Sequence, residues 1–546
     1  MGANMRSLNK MERIVRILLI VMLAVSVSLI TAWLLSKSKT NEYSDSQTTG
    51  QKTNTTADTQ LSNNMDLLPE KCTLNTDLSN LSFSRENGDK ITLSELKGKT
   101  IVISFWASWC PYCNKELEKY EEIEKILSEY PGVEFLLVNK LDNYKETRAS
   151  ALAYLKDKKI PFVNVFDENL TVYKQLGLKV IPTTFVIDKQ GILRAWYAGK
   201  ELPLKGLKSM IDYGITGGAS GTLKFIENEL TNADGGIKTN YITEEASNLE
   251  NTDVLSESQG LILEYAINSS NRSLFEKSIS YINKVMRKDP LASWVVNEKG
   301  PARVNSSVDD LRIFRTLYNA DKLWGGYTDN LKNYENALYR YNTQSNKLIN
   351  SYDFKYRKKS QSLKLCFADF EAMEMLAEID PRWNEVNRNS LLIVNDGYLG
   401  DEFPMYHTEY DYRKKSYKNE NLNMAEGMVT LLHLSKIGQI KPQTLSWLKA
   451  AVEGEGIFAM YRPDGTVVDG YRYESTAIYG LVSMIANNVG DSDLANRAMA
   501  RMETMRIFDF DNKLNGAFGN TDGTGIYSFD QCIGLLSYSV ADKNKY

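Results

Sequence analysis

The chain has 546 residues, too many for one hydrophobic core, so two or three domains are expected. It is 42% hydrophobic and 25% charged with a formal net charge of -4 and a pI near 5.7, which argues against nucleic acid as a partner because phosphate backbones need a basic surface. Two histidines, His407 and His433, exclude a multi-His metal site and leave Ser-His or Cys-His catalysis nearly without material. Five cysteines are too few for a disulfide framework in a chain this long.

Ile17 to Leu35 (ILLIVMLAVSVSLITAWLL) carries no charge and is about the ~20 residues that span a bilayer as a helix. Arg6, Lys10, Arg13 and Arg16 precede it, so the N-terminus is expected in the cytoplasm and the remainder outside. A cleaved signal peptide is the rival reading, but no small-x-small cleavage site follows cleanly. We therefore expect a cytoplasmic tail and transmembrane signal anchor over 1–36, in a single-pass protein of the cell membrane. Residues 37–69, rich in Ser, Thr, Asn, Gln and Asp, read as a disordered linker, since they have too little apolar surface to offset their ordering entropy.

Residues 70–216 alternate strand and helix patterns. Thr100–Trp106 (TIVISFW) reads as a buried strand, Pro111–Tyr130 as an amphipathic helix, Val133–Val138 as a second strand, and Phe185–Ile187 lies in a third. Alternation of this kind predicts an α/β domain. Between the first strand and the helix stands Phe105-Trp106-Ala107-Ser108-Trp109-Cys110-Pro111-Tyr112-Cys113. A helix N-terminus favours a thiolate on Cys110, and Cys113 lies one turn later, close enough to resolve a mixed disulfide. Structural zinc would need two further ligands that the sequence does not supply, so no metal is expected. Cys72, Cys366 and Cys532 read as buried free thiols.

These residues resemble the thioredoxin superfamily, and within it the membrane-bound TlpA/ResA type. The hairpin from Phe83 to Lys99 and the loop Ile181-Pro182-Thr183-Thr184-Phe185 extend the resemblance over residues 70–212. It implies a thiol–disulfide oxidoreductase with no cofactor beyond the Cys110–Cys113 disulfide, and with protein thiols or disulfides as partners. It also implies a cis Pro182 facing the pair, an acidic Glu116 near the thiols and a substrate contact at Trp109. Read from its position alone, Glu116 is equally a first-turn acid favoured by the helix dipole.

Beyond Gly218 helical patterns take over, and residues 217–546 are expected to form an all-α domain. Candidate helices are Gln259–Asn268, Arg272–Met286, Asp309–Leu323, Asn330–Ser345, Leu363–Glu378, Asn421–Lys436, Gln443–Glu453, Ser475–Asn487, Asp491–Met505 and Asp530–Ser539. With no fixed repeat period, hairpins closing into an (α/α)6 six-hairpin barrel are expected rather than a solenoid. With histidine scarce, carboxylates must carry any proton transfer. Three acidic islands stand at helix starts: Ser256-Glu257-Ser258-Gln259-Gly260, Asn305-Ser306-Ser307-Val308-Asp309-Asp310-Leu311, and Asp469-Gly470-Tyr471-Arg472. As local structure, Ser256 is an N-cap and Glu257 an early-turn acid.

The three islands are similar to those of glycoside hydrolase family 8. The resemblance implies Glu257 as general acid, Asp310 as the acid that holds the distorted sugar, Asp469 as general base with Arg472 beside it, and Trp324 as a sugar-stacking wall. Val308 stands where that family has its first aspartate. The whole chain then reads as a membrane-anchored, extracytoplasmic thiol–disulfide oxidoreductase joined to an inverting hydrolase of a cell-surface or extracellular polysaccharide. The alternative is an oxidoreductase carrying a catalytically silent glycan-binding module.

Overall fold

In the computed structural model, residues 69, 71, 72, 74, 76–242, 253–509 and 512–543 are described. The expected anchor and linker lie outside them, apart from Pro69 at the linker's end. Among the described residues no helix is long and apolar enough to cross a membrane.

The first half is built on a seven-stranded sheet with strand order β2-β1-β5-β4-β3-β6-β7. The strands are β1 (Ser82–Ser84), β2 (Lys90–Thr92), β3 (Thr100–Trp106), β4 (Val133–Leu141), β5 (Val163–Glu168), β6 (Thr183–Ile187) and β7 (Leu193–Ala198). Strands β3, β4 and β5 run parallel, and β6 lies antiparallel to β3 with Phe105 opposite Thr183. All seven residues of β3 are buried, as a continuous apolar run demands when both faces of a central strand are covered. Helices α1 (Pro111–Leu117), α2 (Tyr120–Ser128), α3 (Arg148–Lys158), α4 (Thr171–Leu176) and α5 (Leu204–Thr216) supply that cover. The single helix expected over Pro111–Tyr130 is two, because Lys119 leaves helical geometry at φ -96°, ψ 24°.

The second half is a ring of paired helices. Its inner members are α7 (Ser256–Asn268), α9 (Ser307–Trp324), α11 (Phe370–Ile379), α13 (Met424–Lys436), α15 (Thr476–Asn488) and α17 (Ser528–Lys543). Each packs on the next, and α17 closes on α7. The outer members are α6 (Ala219–Phe225), α8 (Arg272–Tyr281), α10 (Thr328–Asn342), α12 (Trp383–Asp396), α14 (Pro442–Glu453) and α16 (Ser492–Glu503). Inner and outer helices alternate along the chain, so the inner six run parallel with their N-termini at one mouth. This is the expected (α/α)6 arrangement.

The sequence explains the division. Inner α15 (TAIYGLVSMIANN) has no charged residue and is buried for most of its circumference. Outer α16 (SDLANRAMARME) turns Asp493 and Arg497 outward, and its apolar stripe Leu494, Ala495, Ala498, Met499 and Met502 faces inward. Gly480 lets α15 approach α17, since a Cβ there would stand 2.8 Å from the Ile533 side chain.

Two expectations are corrected. Leu363–Glu378 is not one helix: Ser362–Lys364 pairs as a strand with Glu409–Asp411, and α11 starts only at Phe370, capped by Asp369. Helix α12 was not anticipated. Its buried stripe is only Trp383, Val386, Ser390 and Val394, too thin a pattern to stand out among its polar residues.

Candidate functional sites

The thiol site lies where β3 passes into α1. Cys110 is the N-cap of α1 with Pro111 at the first helical position, and the Cys113 amide donates to Cys110 Sγ at 3.2 Å. A helix N-terminal amide aimed at sulfur stabilises a thiolate there, which sets the two cysteines apart chemically. The pair is closed as a disulfide, and Cys72, Cys366 and Cys532 are buried apart from it. Because β6 pairs with β3, the loop before β6 is brought against the thiols. The Ile181–Pro182 bond is cis, and Ile181 O lies 3.6 Å from Cys110 Sγ.

Glu116 is partly buried behind the pair. The Leu202 amide donates to its Oε1 at 2.6 Å. Burial outweighs that bond and, with Glu201 nearby, pushes the Glu116 carboxyl up to about 8. It lines a cavity of about 20 Å³ with Ser104, Lys119, Thr184 and Leu202, room for a single water. Trp109 is half-buried, with Lys145 Nζ 3.6 Å from its ring centroid, so its exposed face carries an amphipathic surface beside Cys110.

Sequence reasoning missed one residue here. Glu146 is fully buried and accepts from the Ser108 amide (3.0 Å), the Ser108 hydroxyl (2.8 Å) and Asn139 Nδ2 (2.8 Å). It ties the loop carrying Cys110 to the end of β4. Its signal was weak, a lone Glu in a polar loop.

At the mouth of the ring, Glu257 in the first turn of α7 is partly exposed. Burial, with Asp309 and Glu426 adding negative charge, pushes its carboxyl up to about 8 against the pull of Arg312 and Lys364. Asp309 is the acid placed with it. Ser256 Oγ donates to Asp309 Oδ2 at 2.7 Å, and Arg312 donates to Oδ1 at 2.9 Å. Asp310 points elsewhere. It is fully buried and accepts from the Ala292 amide, Asn305 Nδ2 and the Tyr334 hydroxyl. Two adjacent residues on a helix sit ~100° apart, so only one of the pair can face the axis. Asp309 is therefore the acid beside Glu257, and Asp310 braces α9 against its neighbours.

Asp469 and Arg472 do not form the expected pair. Asp469 is fully exposed with Arg462 as its ionic neighbour at 3.5 Å, while Arg472 turns to Glu455 and covers the Phe458 ring at 4.5 Å. Trp324 is misplaced as well. It ends α9, fifteen residues and so ~22 Å of helix from Asp309. It packs edge-on to Phe275, with Arg272 over its ring. These three expectations followed short motif islands, which carry no information about which side chains meet across the ring.

Deeper between the inner helices lies a buried charge network. Arg315 makes a two-pronged bond to Glu264 (2.8 and 3.1 Å) and reaches Asp369 (3.1 Å) and Glu371 (3.2 Å). Lys436 bridges Glu371 (2.9 Å) and Glu264 (3.5 Å). His433 stands 3.7 Å from Asp369, and burial holds it down at about 4, hence neutral at pH 7. Spacing was the available signal: Glu257 and Glu264 are seven apart, Asp309, Arg312 and Arg315 three apart, and both sets interrupt otherwise apolar helix faces.

Comparison with known proteins agrees with both halves. Residues 74–196 match the AhpC/TSA family model. The thiol-disulfide oxidoreductase ResA of Bacillus thuringiensis subsp. konkukian is 30% identical over 122 residues, which is 22% of this chain and 68% of that protein. YdaJ of Bacillus subtilis, named as a lipoprotein, is 23% identical over 324 residues, 57% of this chain and 84% of that protein. Among solved structures, an alpha-amylase from Clostridium perfringens has 27% identity and a TM-score of 0.56, covering 60% of this chain and 98% of that chain. The helical half thus shares its fold with a glycoside-cleaving enzyme. Through its α/β half, with Cys110, Cys113 and cis Pro182 in place, the chain belongs to the ResA-type thiol–disulfide oxidoreductases.

Proposed function

We propose that this is a membrane-anchored, extracytoplasmic protein with two active heads: a thiol–disulfide oxidoreductase at Cys110–Cys113 and an inverting hydrolase of a polysaccharide at the mouth of the helical ring. The observation that carries the second assignment is Glu257. A carboxyl raised to about 8 is protonated at neutral pH, as a general acid for a glycosidic oxygen must be. Asp309, fixed by Ser256 and Arg312, is the neighbour that would hold the sugar hydroxyls. The anchor over 1–36 and the linker over 37–69 would keep both heads outside the cell, where a glycan substrate and exported protein thiols are available.

The test is reducing-end release by the exported part, residues 70–546, from soluble starch and a panel of cell-surface polysaccharides. Starch is included because the structural relative is an alpha-amylase. Glu257→Gln should abolish release while sparing binding, since the amide keeps the shape and most hydrogen bonds. The silent glycan-binding reading draws support from Val308 and from the exposure of Asp469. Binding without cleavage across the panel would establish it.

A further inference from the structure

Inversion at Glu257 needs a second carboxylate to activate water, and Asp469 is fully exposed and turned to Arg462. We propose that Glu426, paired with Lys364, is the catalytic base of the helical domain, acting across the mouth of the ring from Glu257. The inference rests on the hydrolase reading above.

Position is the first argument. Helices α7 and α13 are three steps apart in a closed ring of six, so they stand opposite one another. Neighbouring helix axes ~8–10 Å apart put opposite axes of a six-membered ring ~16–20 Å apart. Two glutamates reaching inward from opposite helices would shorten that gap, and inversion needs roughly 6.5–9.5 Å between the carboxyls to leave room for water. Both residues lie in the first turns of their helices, hence at the same mouth. An acid and a base on opposite faces of the sugar are what inversion requires.

Elimination is the second. Asp309 is committed to Ser256 and Arg312 and sits on the helix next to Glu257, not across from it. Asp310 and Asp530 are saturated: Asp530 accepts from the Ala477 amide (2.8 Å) and Ser475 Oγ (2.9 Å). Glu264, Asp369 and Glu371 are held by Arg315, with Lys436 also on the two glutamates. Glu426 keeps about a quarter of its side chain exposed and has one cationic partner, Lys364 Nζ at 2.8 Å.

The third argument points to the water. Glu426 lines a cavity of about 10 Å³ with Asn423, Thr430, Tyr406, His407 and Thr408. Tyr406 is 4% exposed, and its hydroxyl, His407 Nδ1 and Thr408 Oγ1 are buried without hydrogen-bond partners. A polar cavity of roughly one water's size, lined by unsatisfied groups, is a place where water is held rather than excluded. In the step itself, Glu426 removes a proton from water and the water oxygen bonds to the anomeric carbon from one face. The glycosidic C–O bond breaks on the other face, and Glu257 gives its proton to the departing oxygen.

The experiment compares the wild type with Glu426→Gln, Glu426→Ala and Glu257→Gln on soluble starch and on an aryl α-maltotrioside with a good leaving group. Circular dichroism of each variant reports folding. Both Glu426 variants should lose ~10²–10⁴-fold on both substrates, the usual contribution of a general base. Glu257→Gln should lose as much on starch yet be largely spared on the aryl substrate, which needs little protonation. Azide should restore turnover of Glu426→Ala, releasing a glycosyl azide of inverted configuration. An active wild type whose Glu426 variants keep activity within about threefold, or one that retains anomeric configuration, overturns the assignment of Glu426 alone. A wild type that cleaves neither probe nor any of the polysaccharide panel overturns the hydrolase reading and this inference with it.

Discussion

Three single side chains decide the chemistry. Cys110 has the Cys113 amide on its sulfur, so limiting iodoacetamide on the reduced protein should label Cys110 before Cys113. Peptide mapping reads the order, and preferential labelling of Cys113 would reverse the assignment. Glu116, with its carboxyl raised to about 8, is a proton reservoir near the thiols at neutral pH. Glu116→Gln should slow thiol exchange several-fold while keeping the native fold. The same shift sets a stability trend. A raised carboxyl favours folding fully below its unfolded value of ~4.3, and this advantage is lost as pH rises through about 8. Chemical denaturation should therefore show Glu116→Gln gaining stability relative to wild type between these limits, and a flat difference would place Glu116 in an ordinary solvated setting. Glu257 follows the same sign for activity. In the proposed role it would donate only while protonated, so hydrolysis should fall as pH rises through about 8, and the fall should vanish in Glu257→Gln on an activated substrate.

At the scale of elements, the inner helices do two jobs with one face. Near the mouth they present Glu257, Asp309 and Glu426; deeper they bury Glu264, Arg315, Asp369 and Lys436. A charge desolvated there is tolerable only while its partners stay. Arg315→Met should cost about 3–5 kcal/mol, since two carboxylates at 2.8 and 3.1 Å would be left buried with less compensation. Urea denaturation measures this, and a cost under 1 kcal/mol would mean that water enters and screens the network. The elements also show what was readable from sequence. A continuous apolar run such as TIVISFW announces burial on both faces, as found, and the uncharged TAIYGLVSMIANN, expected as a helix with one apolar stripe, is buried almost all round. The thiol site was legible because one local string carries both its chemistry and its position at a strand–helix junction. The helical site was only partly legible, because it is assembled from residues on different helices. Glu257 could be singled out locally, but Asp309 over Asp310 depends on helix rotation, and Glu426 on which helix stands opposite. Neither is encoded in a short motif.

For the whole molecule, the question is what two heads on one chain share. The described residues fall in one compact unit, and its joint is specific. Tyr213, on the last helix of the α/β half, packs edge-on against Phe508 at 5.3 Å and lies beside Arg506 at 5.3 Å. Arg506 is itself buried, bonded to Glu503 (2.7 and 2.8 Å), Thr222 Oγ1 (2.7 Å), the Gly516 carbonyl (2.8 Å) and the Tyr538 hydroxyl (2.7 Å). Gly217 and Gly218, at φ 66° and 100°, carry the chain through this joint where a Cβ at Gly218 would stand 2.9 Å from the Arg506 guanidinium. A short linker with left-handed glycines and a satisfied buried arginine does not behave as a flexible tether. The two halves should therefore unfold together. Differential scanning calorimetry of residues 70–546 should give one transition for the wild type. Phe508→Ala removes only a side chain on the helical side that covers Tyr213, so it should cost about 1–3 kcal/mol and split that transition in two. Two transitions already present in the wild type, or a single one unmoved by Phe508→Ala, would show that the heads are thermodynamically independent and that their fusion serves proximity alone.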